Sequence, residues 1–131
     1  MKKHILLIDD DEDDAIFLLD ALDRVNISYK CTWAKNGEQA VSQLTYLTPD
    51  IIFLDINMPG MNGFECLAAI KQVPRLQHVP VVLHSSAMSD DCRAKGMNLG
   101  ASACLAKQDV VSELGDILRK LITAGTATFL H

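Results

Sequence analysis

The chain has 131 residues, of which 49% are hydrophobic and 22% are charged, which fits one soluble domain with a single core. The net charge of -5 argues against nucleic acid or an anionic membrane as the main partner, because both reward clustered cations. The first apolar run, ILLI, is too short for a signal-peptide core or a membrane span, so we expect a cytoplasmic protein.

Apolar runs and helical periodicities alternate five times along the chain. The predicted strands occupy residues 4–8, 29–34, 51–54, 79–84 and 103–106. The predicted helices occupy about residues 13–25, 37–47, 63–71, 90–99 and 110–122. This alternation predicts a parallel sheet with right-handed crossovers and helices on both faces. No linker to a second domain is present, so residues 1–131 are predicted to form one domain.

Six consecutive acidic residues, from Asp9 to Asp14, lie between the first predicted strand and the first predicted helix. Negative charge is favoured at the start of a helix, so capping and compensation of the helix dipole explain Asp11 to Asp14. Asp9 and Asp10 directly follow the strand, before the helix begins, and this explanation does not cover them.

Polar side chains also follow three other predicted strands: Asp55, Ser85 and Lys107. The carboxyl ends of parallel strands meet at one edge of an open α/β sheet, where ligand sites form. We therefore expect these side chains to converge there with Asp9 and Asp10. The alternative for Asp55 alone is that it caps the turn behind it.

Three converging carboxylates, from Asp9, Asp10 and Asp55, would repel one another without a cation. Carboxylate oxygens and waters suit Mg²⁺. A lysine and a hydroxyl beside such an ion, here Lys107 and Ser85, form a receptor for a phosphoryl group. The sequence contains no P-loop, GxGxxG or GxSxG motif, and its cysteines and histidines lack the spacing of a zinc site.

The segments LIDDD, IIFLDINMPGMNG, PVVLHSSA and CLAK, in this order and spacing, resemble the receiver domain of two-component response regulators. The resemblance covers about residues 3–122 and leaves residues 123–131 as a carboxyl-terminal tail. It implies a flavodoxin-like (βα)5 doubly wound sandwich, an α/β fold whose five-stranded parallel sheet has the order 2-1-3-4-5.

The same resemblance implies roles at the sheet edge. Asp55 would be the phosphoacceptor and a ligand of Mg²⁺. Asp10 would bind the ion directly, Asp9 would bind it directly or through water, and Asn57 would contribute its backbone carbonyl. Lys107 would pair with Asp55 and then with the phosphate.

The implied function is signalling rather than conventional enzyme catalysis. Asp55 would receive a phosphoryl group from a phosphohistidine of a sensor histidine kinase or phosphotransfer protein, and Ser85 would hydrogen-bond that group. The receiver would catalyse its own phosphorylation and dephosphorylation. No output domain fits in the remaining residues, so we expect a stand-alone regulator, a monomer or weak homodimer, that contacts a downstream protein.

Three departures from the family pattern leave an alternative open. Cys104 replaces the aromatic switch residue, Gln108 replaces the proline after Lys107, and Ser85 replaces the commoner threonine. The first two favour a degenerate docking module that acts without phosphorylation. A flavodoxin-like cofactor binder or small Mg²⁺ phosphatase is disfavoured, because only 5% of residues are aromatic and none lies in the strand-end loops.

Overall fold

The computed structural model describes residues 2–123, which form a five-stranded parallel sheet in the order β2-β1-β3-β4-β5. The strands are β1 Lys3–Ile8, β2 Tyr29–Ala34, β3 Ile51–Asp55, β4 Val81–Ser85 and β5 Ala103–Ala106. The helices are α1 Glu12–Arg24, α2 Gly37–Gln43, α3 Gly63–Lys71, α4 Asp90–Asn98 and α5 Val110–Leu118. The predicted flavodoxin-like fold and strand order are confirmed. The predicted tail beyond residue 123 lies outside the described residues.

Three predicted boundaries differ clearly from the structure: the start of β4 and the ends of α2 and α5. α5 ends at Leu118 rather than near residue 122, and a π-helical turn, Arg119–Thr123, follows it. β4 begins at Val81 rather than at Val79, whose amide donates to the carbonyl of Leu76 and closes the turn before the strand. α2 ends at Gln43, and the guanidinium of Arg75 binds the carbonyl oxygens of Leu44 and Leu47 just beyond it. These carbonyls therefore find a partner outside the helix.

The sheet separates two apolar layers, because alternate side chains of each strand face opposite sides. The α1/α5 layer contains buried residues of those helices, Ala15, Leu18, Ala21, Leu22, Val110, Leu114 and Leu118. The α2–α4 layer contains Ala40, Leu44, Cys66, Leu67 and Ile70 from α2 and α3. The central strand β3 supplies both layers, with every side chain buried, which explains why its sequence is continuously apolar. Within residues 2–123, no helix is both long enough and apolar enough to cross a bilayer.

Gly63 begins α3 directly against the end of β3. A Cβ atom at position 63 would lie 2.4 Å from the carbonyl oxygen of Asp55 and 2.6 Å from the Cα of Ile56. The amide of Gly63 also donates a 2.9 Å hydrogen bond to the carbonyl of Ile56. Because the obstructing atoms belong to the backbone, α3 can approach Asp55 this closely only with glycine at position 63.

We expect Gly63→Ala to lower the free energy of unfolding by about 1–3 kcal/mol, the usual cost of overpacking. Urea denaturation measures this change. Gly115→Ala in α5 is the matched control, since the nearest atom to its Cβ would be the Arg119 guanidinium at 3.6 Å. Alanine there should stabilise the helix. An equal loss in both variants would contradict the assignment of the effect to the Asp55 contact.

Candidate functional site

The site lies where four strands end at one edge of the sheet. From these four strands the α1/α5 layer includes, nearest the site, Leu7, Phe53, Val82 and Leu105. Two positions further along each strand come Asp9, Asp55, His84 and Lys107. Because side chains alternate with a period of two, all four point towards the same side of the sheet. The strand pairing places Asp55 directly beside His84.

The two carboxylates and the lysine form a buried ionic cluster. Asp9 and Asp55 are almost completely buried. The Lys107 ammonium lies 3.3 Å from Asp9 Oδ2 and 3.4 Å from Asp55 Oδ1. Asp9 Oδ1 accepts a hydrogen bond from the amide of Asp11, whereas Asp9 Oδ2 has no hydrogen-bond partner among residues 2–123. The cluster therefore retains acceptor capacity that suits a further cation.

This crowding changes the ionisation of the cluster. Burial, followed by the negative charge of Asp9, raises the pKa of Asp55 to about 7, against the opposing effect of Lys107. Burial also raises the pKa of Asp9. Burial by itself would lower the pKa of Lys107, but its hydrogen bond to Asp14 and the surrounding carboxylates raise that pKa above the ordinary value. The free site therefore favours a protonated Asp55 more than an exposed carboxyl would.

Asp10 is placed differently from the other predicted metal ligands. The ligand atoms of Asp9, Asp55 and His84 lie within 4.8 Å of one another, and Asp10 is outside this group. Its side chain is exposed. The structure thus brings together Asp9 and Asp55 but leaves Asp10 facing solvent, so its contact with an ion stays a prediction.

Ser85 is buried on the other side of the sheet edge, and Asn57 holds its hydroxyl. The Ser85 Oγ atom accepts hydrogen bonds from Asn57 Nδ2 at 2.7 Å and from the amide of Ala87 at 3.0 Å. The backbone amide of Asn57 also lies 3.3 Å from Asp55 Oδ1 as a hydrogen-bond donor. A hydroxyl has one proton and two lone pairs, so these contacts leave the Ser85 proton available for another acceptor.

Sequence reasoning missed the role of Asp14. Its Oδ2 atom lies 2.7 Å from the Lys107 ammonium, closer than either Asp9 or Asp55. Capping explains Asp11, whose side chain accepts hydrogen bonds from the next turn, but it does not fully explain Asp14. The available signal was helical spacing, because Asp14 lies four residues before Leu18 on the inward-facing stripe of α1.

His84 was the second residue not assigned to the site. Neighbouring side chains of a strand point to opposite faces, so His84 points away from Ser85, and its Nδ1 atom lies 4.0 Å from Asp9 Oδ2. Burial, and then the charge of Lys107, lowers the pKa of His84 to about 3. The imidazole is therefore neutral and adds no positive charge to the cluster. The strand register opposite Asp55 was the signal that could have found it.

The two departures near β5 leave the position of Lys107 intact. The Lys107–Gln108 peptide bond is trans, and residues Lys107–Asp109 form a short 3-10 turn. Cys104 packs against α4 on the far side of β5, with its sulfur 3.9 Å from the carbonyl of Arg93. Proline is thus not required at position 108 to direct the lysine towards Asp55.

We expect Asp55→Asn to be more stable than the wild type by about 1–3 kcal/mol at pH 8 without divalent cations. The folded protein holds the Asp55 proton with a pKa of about 7, well above the value in the unfolded chain. Ionisation of Asp55 therefore costs stability as the pH rises from about 4 through 7, and asparagine avoids this cost.

Chemical denaturation at pH 5 and pH 8 in the presence of a chelator measures the difference. The stability advantage of Asp55→Asn should shrink at pH 5, because the Asp55 carboxyl of the folded wild type is largely protonated there. Asp20→Asn, on an exposed position of α1, should show no such trend. An advantage of Asp55→Asn that grows towards pH 5 would contradict the proposed sign.

Comparison with known proteins agrees with this arrangement. The family model described as "Response regulator receiver domain" matches residues 5–119. The response regulator PleD of Caulobacter vibrioides is 36% identical over 107 residues, which cover 82% of this chain and 23% of PleD. The chain thus spans about a quarter of that relative's length.

Two solved structures are similar over most of both chains. The receiver domain of a DNA-binding response regulator from Colwellia psychrerythraea 34H has a TM-score of 0.84 and 30% identity, covering 93% of this chain and 99% of that one. The Mn²⁺-bound form of response regulator Rcp1 has a TM-score of 0.78 and 27% identity, covering 89% and 92%. Together with the family match and the fold, these similarities show that the chain belongs to the response regulator receiver domain family.

Proposed function

We propose that this chain receives a phosphoryl group on Asp55 from a phosphohistidine of a sensor histidine kinase or histidine phosphotransfer protein. The observation that carries the proposal is the buried Asp55 carboxylate, which lies at the end of the central strand with the Lys107 ammonium 3.4 Å from its Oδ1 atom. A nucleophile beside a fixed positive charge suits phosphoryl transfer.

In the proposed reaction, an Asp55 carboxylate oxygen forms a bond to phosphorus while the bond between phosphorus and the donor imidazole nitrogen breaks. The electron pair of the broken bond stays with the imidazole, which leaves as a neutral ring after taking up a proton. Lys107 stabilises the charge on the phosphoryl oxygens, and Ser85 donates its free hydroxyl proton to one of them.

The residues of the site fit a Mg²⁺ ion. The proposed ligands are Asp10, Asp55, the backbone carbonyl of Asn57, and Asp9, directly or through water. The Oδ2 atom of Asp9, which forms an ion pair with Lys107 but accepts no hydrogen bond within residues 2–123, and the raised pKa of Asp55 support a cation there. The bound ion would neutralise carboxylate charge and keep Asp55 ionised for attack. The Mn²⁺-bound form of the related Rcp1 is consistent with such an ion.

The proposed output is a contact between this receiver domain, as a monomer or weak homodimer, and a downstream protein in the cytoplasm. The half-buried Cys104 offers far less surface than an aromatic ring, whose burial can reach about 150–250 Å². We therefore propose a smaller rearrangement at the α4–β5–α5 face than an aromatic switch would give.

Incubation with acetyl phosphate and Mg²⁺ should add the mass of one phosphoryl group, because a small phosphodonor replaces the phosphohistidine. Intact mass measurement detects the adduct. Asp55→Asn should abolish it, and omission of Mg²⁺ should reduce it strongly.

Asp20→Asn is the control for that experiment, since its exposed carboxylate lies outside the site. It should be phosphorylated like the wild type. Wild-type protein that gains no phosphoryl group under any of these conditions would instead favour the docking module that acts without phosphorylation.

A second test addresses the hydroxyl on the other side of the sheet edge. Ser85→Ala should slow phosphorylation by about 10- to 100-fold, because one positioned donor to the transferring group is lost. Ser86→Ala, at the exposed neighbouring position, should leave the rate close to that of the wild type. Equal rates for the two variants would remove Ser85 from the proposed mechanism.

A further inference from the structure

Lys107 is held more closely by α1 than by the proposed acceptor. Its ammonium forms a 2.7 Å hydrogen bond with Asp14 Oδ2, whereas Asp55 Oδ1 lies 3.4 Å away. The lysine side chain is only 16% exposed, so this contact is not a freely exchanging surface ion pair. Ion pairs at such positions are less screened by solvent than exposed ones.

A series of hydrogen bonds connects the first turn of α1 to Asp9 in the site. Asp9 Oδ1 accepts from the amide of Asp11, and Asp11 Oδ1 accepts from the amides of Asp13 and Asp14. The position of the Asp14 backbone is thus set by the loop that leaves β1. Its side chain is 39% exposed, and Asp14 is a half-buried residue, whereas Asp11, Glu12 and Asp13 are exposed.

We propose that Asp14 is a positioning residue that draws the Lys107 ammonium towards α1, so that its shortest contact in the unphosphorylated protein is with Asp14 rather than with Asp55, and that Asp14 competes with the phosphoryl group for the ammonium. This inference rests on the proposed phosphorylation of Asp55. Asp14 itself contacts neither the acceptor nor the transferred group in the contacts described for residues 2–123. Phosphorylation then requires the lysine to move from a carboxylate on α1 to an oxygen on the central strand.

If Asp14 competes with a group on Asp55 for the Lys107 ammonium, removing its charge should change the affinity for ligands of the site. Replacing Asp14 with asparagine leaves a neutral side chain of the same shape and releases the ammonium for an anionic group on Asp55. A beryllofluoride adduct, which mimics the phosphoryl group, should therefore bind more tightly. Mg²⁺ without beryllofluoride should bind slightly less tightly, because the site loses one negative charge.

The test uses the full chain and the fluorescence of Trp33, the single tryptophan, whose indole N–H donates a 2.8 Å hydrogen bond to the carbonyl of Asp9. Asp14→Asn should strengthen beryllofluoride binding at saturating Mg²⁺ by about 3- to 10-fold, given the strength of a charge-assisted hydrogen bond. Asp14→Glu should restore affinity towards that of the wild type. If Asp14 had a purely structural role, its replacement would weaken the binding of both beryllofluoride and Mg²⁺. Tighter beryllofluoride binding together with weaker Mg²⁺ binding therefore identifies a positioning role.

Asp13→Asn is the matched control, since it removes one charge from the same turn at an exposed position. It should change beryllofluoride affinity by less than about 2-fold, because exposed charges are strongly screened. Melting temperatures confirm that the variants are folded. Asp14→Ala is a second variant that should also bind beryllofluoride more tightly than the wild type.

Equal affinities for the wild type, Asp14→Asn and Asp14→Ala would overturn this inference and leave the proposed function standing. An equal gain in Asp13→Asn would also overturn it, because net charge would then explain the effect. If wild-type protein binds no beryllofluoride and gains no phosphoryl mass from acetyl phosphate, the proposed function fails and this inference fails with it.

Discussion

The structure at the sheet edge depends on one buried ammonium group. Lys107 lies within 3.4 Å of carboxylate oxygens from Asp9, Asp14 and Asp55, which come from two strands and a helix. Without this positive charge, the buried carboxylates would repel one another with little solvent to screen them. The lysine thus permits an acidic site inside a folded domain, and it also ties α1 to β3 and β5.

The phosphoryl receptor proposed here extends across the sheet rather than lying on one face of it. Lys107 follows the side chains that face the α1/α5 layer, whereas Ser85 follows those of the α2–α4 layer. Asp55 points to the same side as Lys107, and Asn57, two residues further along the chain, contacts the Ser85 hydroxyl. A group attached to Asp55 would therefore meet a charge on one side and a hydroxyl held by Asn57 on the other.

Strand–helix alternation was sufficient to predict the fold, because each strand is a short apolar run and each helix has a recognisable cap or stripe. Ser89 and Asn62 accept hydrogen bonds at the starts of α4 and α3, as helix-capping residues do. Asp109 precedes α5, but its side chain makes no capping hydrogen bond. The start of β4 depends on a turn closed by Val79 and Leu76, and Arg75 contacts the chain beyond α2 from a distant position that no local pattern contains.

The candidate site was less predictable than the fold, since its geometry depends on contacts between distant residues. The residues at the strand ends predicted a site of Asp9, Asp10, Asp55, Ser85 and Lys107. The structure brings Asp9, Asp55 and Lys107 together, whereas the Asp10 side chain is exposed and Ser85 lies on the other side of the sheet edge. The contact between Asp14 and Lys107 joins residues 93 positions apart, and a helix-start explanation was already available for Asp14. Burial of His84 beside Asp9 likewise follows from strand pairing rather than from any local motif.

The division of the apolar interior by the sheet has a consequence for how the domain tolerates change. Leu22 belongs to the α1/α5 layer and Leu67 to the α2–α4 layer, so the sheet lies between them. Substitutions in the two layers should therefore add in their effects on stability, whereas pairs within one layer should not. One layer can thus accumulate changes around α1 and Lys107 while the other keeps its packing, so the two halves of the domain are free to diverge at separate rates.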